Sequence, residues 1–246
     1  MISSLPIIIA GFPVREATQD DLVKELNERL NSSKKTILLF ANTNFVVKCK
    51  HLLEQLKNQN VLIVNDGLGL DIANFLLYRQ KFKSNLNGTD FIPFFLKSSQ
   101  CKFRIFLIGS SSSNLNKSAD FLERQLGHSV VGSCDGYEGI RTTNNLVEII
   151  NSSSADVVLV ALGNAQQEEW ILNNYNQVNT KFFAGVGGLF DFWSGAKPRA
   201  PIWMQNIRME WFYRLCLEPK RLYKRYTIDA LKFLYICIKY RMRQGK

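Results

Sequence analysis

The sequence predicts an α/β protein that carries a helical, basic segment at its C-terminal end. Short runs rich in branched and aromatic residues recur along most of the chain, and helix-like patterns separate them. Beyond Pro198 these runs stop, and the sequence becomes aromatic, basic and helix-patterned. Alternation of this kind favours a Rossmann-like, mostly parallel sheet with helices on both faces.

The predicted strands and helices alternate along the chain. The apolar run near the N-terminus predicts a first strand, because Pro6 and Pro13 bound it and nothing in it is typical of a secretion signal. Further strands are predicted at 35–41, 61–64, 103–109, 128–133, 155–163 and 181–188, with helices near 45–57, 70–80, 115–126, 144–151 and 166–174. We place the boundary between the α/β domain (1–195) and the helical C-terminal appendage (196–246) where the strands end.

The positive charge is concentrated at the C-terminal end. The formal net charge is +10, and the segment 220–246 alone carries +8, from nine Lys and Arg residues and one acid, Asp229. An anionic partner is therefore expected there: lipid, diphosphate or nucleic acid. No stretch reaches the ~18 apolar residues that a membrane-spanning helix needs.

The composition disfavours metal and histidine chemistry. There are only two histidines, so a zinc site or a histidine-based triad is not expected. The five cysteines show no CxxC spacing, which predicts free thiols in a reducing compartment.

The candidate site lies where the predicted strands end, because open parallel sheets bind ligands beyond the carboxyl ends of their strands. Asp66, Gly109, Gly163 and Gly187 fall at those ends. Asp66 opens an Asp-Gly-Leu-Gly loop, but Ile72 stands where a third glycine would complete a dinucleotide fingerprint. Asp66 fits two interpretations: a turn residue whose side chain caps the next helix, or a carboxylate that acts as a general base.

Three other loops offer polar groups for a ligand. The serines after Gly109 suit a phosphate or a sugar hydroxyl at a helix N-terminus, or are ordinary surface serines. Asn164 and Gln167 carry amides, which both donate and accept, as sugar recognition requires. In the glycine-rich segment before the boundary, Gly187 allows close approach of a ring or diphosphate, and Asp191 is either a hydrogen-bond acceptor or a helix cap.

Six motifs in chain order resemble one family of enzymes. They are DGxGxxxA (66–73), NGTDF (87–91), VGxxDGY (131–137), LGxxxQExW (162–170), GVGGxFDFxxGxxxRAPxW (185–203) and EWxYRLxxEPxRxxxRY (210–226). Each motif alone is weak. Their order and their coverage of almost the whole chain resemble the WecG/TagA/CpsF glycosyltransferases.

The resemblance implies a metal-independent, inverting transferase that needs no cofactor and acts peripherally on the inner, cytoplasmic face of the bacterial cell membrane. The implied substrates are a UDP-sugar donor and a sugar linked to undecaprenyl diphosphate, in the biosynthesis of teichoic acid linkage units, capsule or exopolysaccharide. Asp66 is implied to be the catalytic base, and Gln167 to lie at the active site. The appendage is implied to dock on an anionic membrane surface and to supply arginines to the UDP diphosphate.

Arginine grips phosphate with two donors at once, so the candidates in the appendage are Arg214, Arg221 and Arg225. Two positions depart from the family pattern: Asn42 stands where many members have Thr, with Asn44 kept, and Asn85 stands where many have Arg. The donor sugar is therefore predicted to be of the N-acetylmannosamine type or a hexose such as glucose. The other predicted substrate-binding residues are Asp90, Gly109, Asn164, Gly187 and Asp191.

Two other functions remain open: a non-catalytic nucleotide-binding protein at the membrane surface, and a basic RNA-binding protein. Asp66 and Gln167 favour the enzyme. The helical spacing of aromatic and aliphatic residues in the tail favours a bilayer over RNA, so no nucleic-acid partner is expected. The tail is predicted to form a helix that lies in the headgroup layer of the membrane. Its single apolar stripe is predicted to consist of Leu222, Tyr226, Phe233, Leu234, Cys237 and Ile238.

Overall fold

The computed structural model of the protein describes residues 5–32 and 34–244. The strands are β1 (Ile7–Ile9), β2 (Phe12–Arg15), β3 (Thr36–Ala41), β4 (Val61–Asn65), β5 (Arg104–Gly109), β6 (Ser129–Cys134), β7 (Val157–Ala161) and β8 (Phe182–Gly185). The helices are α1 (Gln19–Asn31), α2 (Thr43–Lys48), α3 (Leu53–Leu56), α4 (Leu68–Tyr78), α5 (Gly88–Ser98), α6 (Ser112–Leu126), α7 (Gly139–Thr142), α8 (Leu146–Ser153), α9 (Gln166–Asn174), α10 (Leu189–Trp193), α11 (Ile202–Asn206), α12 (Glu210–Leu217), α13 (Pro219–Tyr226) and α14 (Ile228–Gln244). Residues 1–4, which precede the predicted first strand, and the end of the basic tail, with Lys246, lie outside the described residues.

The strands form one sheet in the order β1-β2-β4-β3-β8-β7-β5-β6. β1 runs antiparallel to β2, and each of the other neighbouring pairs is parallel. The six strands predicted after the first are present as β3 to β8. The predicted Rossmann-like, mostly parallel sheet is therefore confirmed.

Helices cover both faces of this sheet, which explains the unbroken apolar runs of the strands. In β3, Ile37 and Leu39 belong to one buried cluster, whereas Leu38 and Phe40 belong to another. Successive side chains of a strand point to opposite faces, so the two clusters lie on opposite sides of the sheet. A strand buried on both faces needs apolar side chains at every position.

Two predicted elements differ from the structure. The first apolar run forms a short hairpin of β1 and β2 and not one strand, because the chain reverses at Ala10 and Gly11, both with positive φ. The helix predicted near 45–57 is divided into α2, a 3₁₀ turn (Cys49–Leu52) and α3. The segment still buries one apolar face against the sheet.

Four helices were not predicted: the short α7 and α10, and the two longer helices α1 and α5. α1 has a polar composition and buries only Leu22 and Leu26 completely, although Thr18 and Asp21 form a capping box at its start. α5 begins with a turn-like Asn-Gly and contains Pro93. Both helices cover the face of the sheet that carries Leu38.

The predicted helical appendage is present as α11 to α14. α14 packs against α2 and α4, and it buries Phe233 and Cys237 in the cluster that includes Phe45. Within the described ranges, no helix has both the length and the apolar character needed to cross a bilayer. All five cysteines are described and free, as predicted.

The predicted single apolar stripe of the tail is wrong in detail, because the apolar residues of α14 divide between two faces. Phe233 and Cys237 are buried, whereas Ile238 is half exposed. A second stripe faces outward at helical spacing, formed by Leu231, Tyr235, Ile238 and Met242, which are 69%, 62%, 50% and 61% exposed. We call these four residues the outer stripe.

Candidate active site

A cavity of about 500 Å³ lies between the carboxyl ends of the strands and the appendage. One wall comes from the loops after β3 and β4 and from the segment that leads into α5; the opposite wall comes from α11 to α14. Six of the predicted site residues line it: Asn42, Asp66, Asn85, Asp90, Arg214 and Arg225. The cavity thus brings together residues that are far apart in the sequence.

Asp66 is held in this cavity by the loops around it. Its backbone N–H donates to the carbonyl of Ala41 over 2.7 Å, which continues the pairing of β3 and β4. Its carboxyl Oδ2 accepts from Nδ2 of Asn42 at 3.1 Å. The N-cap of α4 is Gly67, which has no side chain to cap it. The carboxyl of Asp66 makes no capping hydrogen bond to this helix, and its described partner is Asn42.

Asn85 shapes the same loop from the other side. Its Oδ1 accepts from the backbone N–H of Gly67 at 2.6 Å. Gly67 has a φ of +84°, a conformation that favours glycine. The hydrogen bond fixes the turn that directly follows Asp66. Asn85 therefore supports the loop and also lines the cavity.

The surroundings of Asp66 set its affinity for a proton. Burial raises the pKa of its carboxyl above the ordinary value. The hydrogen bond from Asn42 and the positive charges of Arg214 and Arg225 oppose this rise. A carboxylate with a raised pKa is a stronger base than an ordinary one and is suited to accept a proton from a hydroxyl.

The three predicted arginines occupy different positions. The guanidinium of Arg214 stacks on the ring of Phe192 at 4.7 Å and lies 3.8 Å from Oε1 of Glu210. Arg225 also lines the cavity, and its Nε is buried with no hydrogen-bond partner among the described residues. Arg221 does not line this cavity; it is exposed and paired with Glu218.

A second group of predicted residues is linked by hydrogen bonds beside the cavity. Nδ2 of Asn44 donates to Oδ1 of Asn164 at 3.2 Å. The backbone N–H of Gly187 donates to Oε1 of Gln167 at 3.1 Å. The side-chain amides of Asn164 and Gln167 also donate to Glu168, a buried carboxyl in the same predicted loop that was not among the predicted substrate-binding residues.

A third group lies at the end of β5, around Asp191. Its Oδ1 accepts from Oγ of Ser110 at 3.2 Å and from Nδ2 of Asn114 at 3.1 Å, and its Oδ2 is 2.9 Å from Nζ of Lys197. Gly109 has a φ of +112°, and a Cβ at this position would collide with the backbone of Ala161. The glycine thus allows the chain to turn tightly into the serine loop.

The sequence prediction missed several residues that form ion pairs between the appendage and the rest of the chain. Arg199 bridges Asp90, at 2.8 Å, and Glu210, at 3.3 Å. Arg208 pairs with the buried carboxyl of Asp71. Arg199 and Glu210 lie within two of the six motifs. Their place in those motifs is the one feature of the sequence that could have identified them as site residues.

No three His, Cys, Asp or Glu side chains in the described parts of the chain are grouped as a metal site would require. The acids around the cavity are paired with Asn42 or with arginines, as Asp66, Asp90 and Glu210 show.

Comparison with known proteins supports the family resemblance that the six motifs indicate. The family described as "Glycosyl transferase WecG/TagA/CpsF family" matches residues 7–246. The N-acetylglucosaminyldiphosphoundecaprenol N-acetyl-beta-D-mannosaminyltransferase of Bacillus subtilis (strain 168) is 33% identical over 178 residues, which cover 71% of this chain and 68% of that protein. The protein of the same name from Staphylococcus aureus (strain MRSA252) is 27% identical over 193 residues, which cover 78% and 75% of the two chains. The chain therefore belongs to the WecG/TagA/CpsF family of glycosyltransferases.

Proposed function

We propose that this glycosyltransferase moves a hexose or N-acetylhexosamine from a UDP-sugar to a sugar linked to undecaprenyl diphosphate, with inversion at the anomeric carbon. The observation that carries the proposal is the position of Asp66 and Arg214 in one cavity, a base and a cation contributed by different parts of the chain. The names of the two relatives support an acceptor made of N-acetylglucosamine on undecaprenyl diphosphate.

In the proposed reaction, Asp66 accepts the proton of the acceptor hydroxyl as that oxygen bonds to the anomeric carbon of the donor. The bond from the anomeric carbon to the β-phosphate oxygen breaks, and UDP leaves with the electron pair. Because one displacement occurs, the configuration inverts. The raised pKa of Asp66 supports its role as the base.

The departing diphosphate gains negative charge that must be stabilised. Arg214 and Arg225 line the same cavity as Asp66, and the buried Nε of Arg225 is a donor that no described residue uses. Guanidinium groups bind diphosphate oxygens through paired N–H donors. We therefore assign these two arginines to the diphosphate. Arg221 lies outside the cavity, so its part in diphosphate binding stays a prediction.

Three further predicted residues are assigned to the rest of the donor and to the acceptor. Asp191, with its carboxylate beside Ser110 and Asn114, suits the hydroxyl groups of the nucleotide. Asn42 and Asn85, the two departures from the family pattern, lie beside Asp66, where the reacting sugars would meet. The names of the two relatives support a donor of the N-acetylmannosamine type, and the two departures keep glucose as the competing hexose.

We also propose that residues 196–246 form an appendage that completes the site of the domain 1–195 and docks on an anionic membrane. Trp211, Arg214 and Tyr226 of this appendage line the cavity. The outer stripe of α14 supplies exposed apolar groups, and Lys239, Arg241 and Arg243 lie beside it in the sequence. The protein would then act at the inner face of the cell membrane, where lipid-linked acceptors are found.

The test is incubation of the full chain with a panel of UDP-sugars and N-acetylglucosamine linked to undecaprenyl diphosphate, followed by mass analysis of the product. One added hexose or N-acetylhexosamine is expected. Binding of UDP by the wild-type chain without any product would overturn the proposal and favour the non-catalytic nucleotide-binding protein.

The proposed metal independence has its own test. Transfer by the wild-type chain should persist in excess chelator, because the cations in the cavity are arginines. Loss of activity in chelator, restored by added magnesium, would show that a metal carries the diphosphate charge.

A further inference from the structure

Glu168 is a buried carboxyl for which the proposed reaction has no direct use. It lies in the first turn of α9 and is only 1% exposed. Its Oε1 accepts from Nδ2 of Asn164 and from Nε2 of Gln167, each at 2.8 Å. Its Oε2 lies 3.5 Å from Sγ of Cys49, which donates to it. Burial raises the pKa of Glu168, and the hydrogen bonds from Gln167 and Asn164 oppose this rise.

One oxygen of Glu168 sets the orientation of two amides. An amide has N–H donors at one end and an acceptor oxygen at the other. Because Oε1 accepts, the NH₂ ends of Asn164 and Gln167 point towards it, and their carbonyl ends point away. The carbonyl of Asn164 then accepts from Asn44 at 3.2 Å, and the carbonyl of Gln167 accepts from the N–H of Gly187 at 3.1 Å.

These amides connect loops that follow different strands. Asn164 follows β7, and its partner Asn44 lies in the first turn of α2, after β3. Asn42 is the N-cap of that same helix and donates to Oδ2 of Asp66 at 3.1 Å. A continuous path of contacts therefore leads from Glu168, through α2, to the candidate base.

We propose that Glu168 is a positioning residue, which holds the loops after β3, β7 and β8 in place through Asn164 and Gln167 and so fixes the setting of Asp66. This inference rests on the proposed glycosyl transfer. Glu168 touches neither substrate. What its role requires is an oxygen that accepts two N–H groups, and not a negative charge.

Two kinds of substitution separate the need for an accepting oxygen from the need for a negative charge. Glu168→Gln keeps an oxygen for both amides and turns its own NH₂ towards the sulfur of Cys49, a weak acceptor. Glu168→Leu keeps most of the volume and removes the acceptor. Glu168→Met is a second acceptor-free variant whose flexible side chain adapts to the same space, in case the leucine variant does not fold.

Steady-state transfer by the full chain is the first measurement. We expect Glu168→Gln to keep kcat within about threefold and the acceptor-free variants to lower it by about 10–100-fold, with KM for the UDP-sugar little changed, since misplaced reacting groups lower the rate of the chemical step. Glu169→Leu is the matched control, because Glu169 is the next residue, is 44% exposed at its side chain and pairs with His51. Wild-type kcat in a folded acceptor-free variant, or an equal loss in Glu168→Gln, would overturn the proposal.

The second measurement does not depend on activity. Hydrogen exchange of the side-chain amides of Asn164 and Gln167, followed by NMR in ¹⁵N-labelled full chain, should be slow in the wild type and in Glu168→Gln and faster in the acceptor-free variants. If the wild type transfers no sugar but the amides respond in this way, the proposed function fails and the positioning role stands. If transfer is normal and exchange is the same in all variants, the positioning role alone is wrong.

Discussion

The side chain of Asn42 makes two hydrogen bonds at once: its Nδ2 donates to Oδ2 of Asp66 at 3.1 Å, and its Oδ1 accepts from the N–H of Phe45 at 3.1 Å. The second bond caps α2. One residue therefore fixes both the start of a helix and the orientation of the candidate base. This arrangement is possible because β3 and β4 are neighbours in the sheet and end side by side.

Replacing the base is the most direct prediction. Asp66→Asn keeps the size of the side chain and removes its basicity, so turnover should fall by about 10²–10⁴-fold. The fold should survive, because burial already disfavours the charged carboxylate at this position. Transfer rate and thermal unfolding are measured together, with Asp120→Asn on the exposed face of α6 as the control. Near-wild-type turnover in a folded Asp66→Asn variant would end the assignment.

The pH dependence of transfer should report the pKa of Asp66. Because the ionised form is the base, the rate should rise with pH, and burial places the midpoint above the ordinary value of 3.8. Asn42→Asp keeps a capping oxygen but replaces the donor with a second negative charge, which raises the pKa of Asp66 further. The acid limb of the profile should therefore move to higher pH.

The control for this profile is Asn58→Asp, the same change at an exposed position outside the cavity. This substitution should not change the pH midpoint of the acid limb. An acid limb that does not move in Asn42→Asp would mean that another group controls the profile.

Much of this site could be predicted from the sequence, because its position follows from the sheet. The strands β3, β4, β5, β7 and β8 are mostly apolar runs, and Asp66 and Gly109 fall where two of them end. The position of Asp66 at a strand end needed no knowledge of tertiary contacts. Its role as base and the choice of arginines came from the motifs.

The rest could not be predicted, because it depends on tertiary contacts between distant residues. Arg199 meets Asp90 only when the appendage folds back over α5. The outward direction of Ile238 is set by how α14 packs on α2 and α4, which helical spacing alone does not determine. The contacts of Glu168 are likewise invisible in a motif, which shows only that a glutamate follows Gln167.

The arginines should differ in their effect on transfer. Arg214→Gln removes a cation from the cavity and should lower kcat by about 10²-fold, as loss of one transition-state donor does. Arg221→Gln should cost less than about tenfold, because Arg221 is exposed and paired with Glu218. Arg124→Gln, on exposed α6, is the control and should have no effect. An equal loss in Arg214→Gln and Arg221→Gln would place Arg221 on the diphosphate and require Glu218 to release it.

Membrane binding by the appendage is best tested in the full chain. Deleting the residues after Glu218 removes the basic segment, and the sequence alone predicts that this deletion leaves a folded, nearly inactive core. The structure changes this expectation, because α14 buries Phe233 and Cys237 against residues such as Phe45. Deletion would expose that surface and confuse loss of membrane contact with loss of packing.

Substitutions in the outer stripe avoid this problem. Leu231 and Ile238 are 69% and 50% exposed, so changing both to Ser should leave the fold intact. Binding of the full chain to anionic vesicles should fall by about 10²-fold or more, since two side chains are removed and each apolar side chain buried in the membrane contributes roughly 1.5–3 kcal/mol. High salt should release the wild-type chain, because the lysines and arginines of the tail each contribute roughly 1 kcal/mol on anionic lipid. Ile149→Ser, at a residue 41% exposed on α8, is the matched control. If wild type, double variant and control all stay in the supernatant during sedimentation with vesicles, the membrane proposal is wrong and the appendage serves only to complete the cavity.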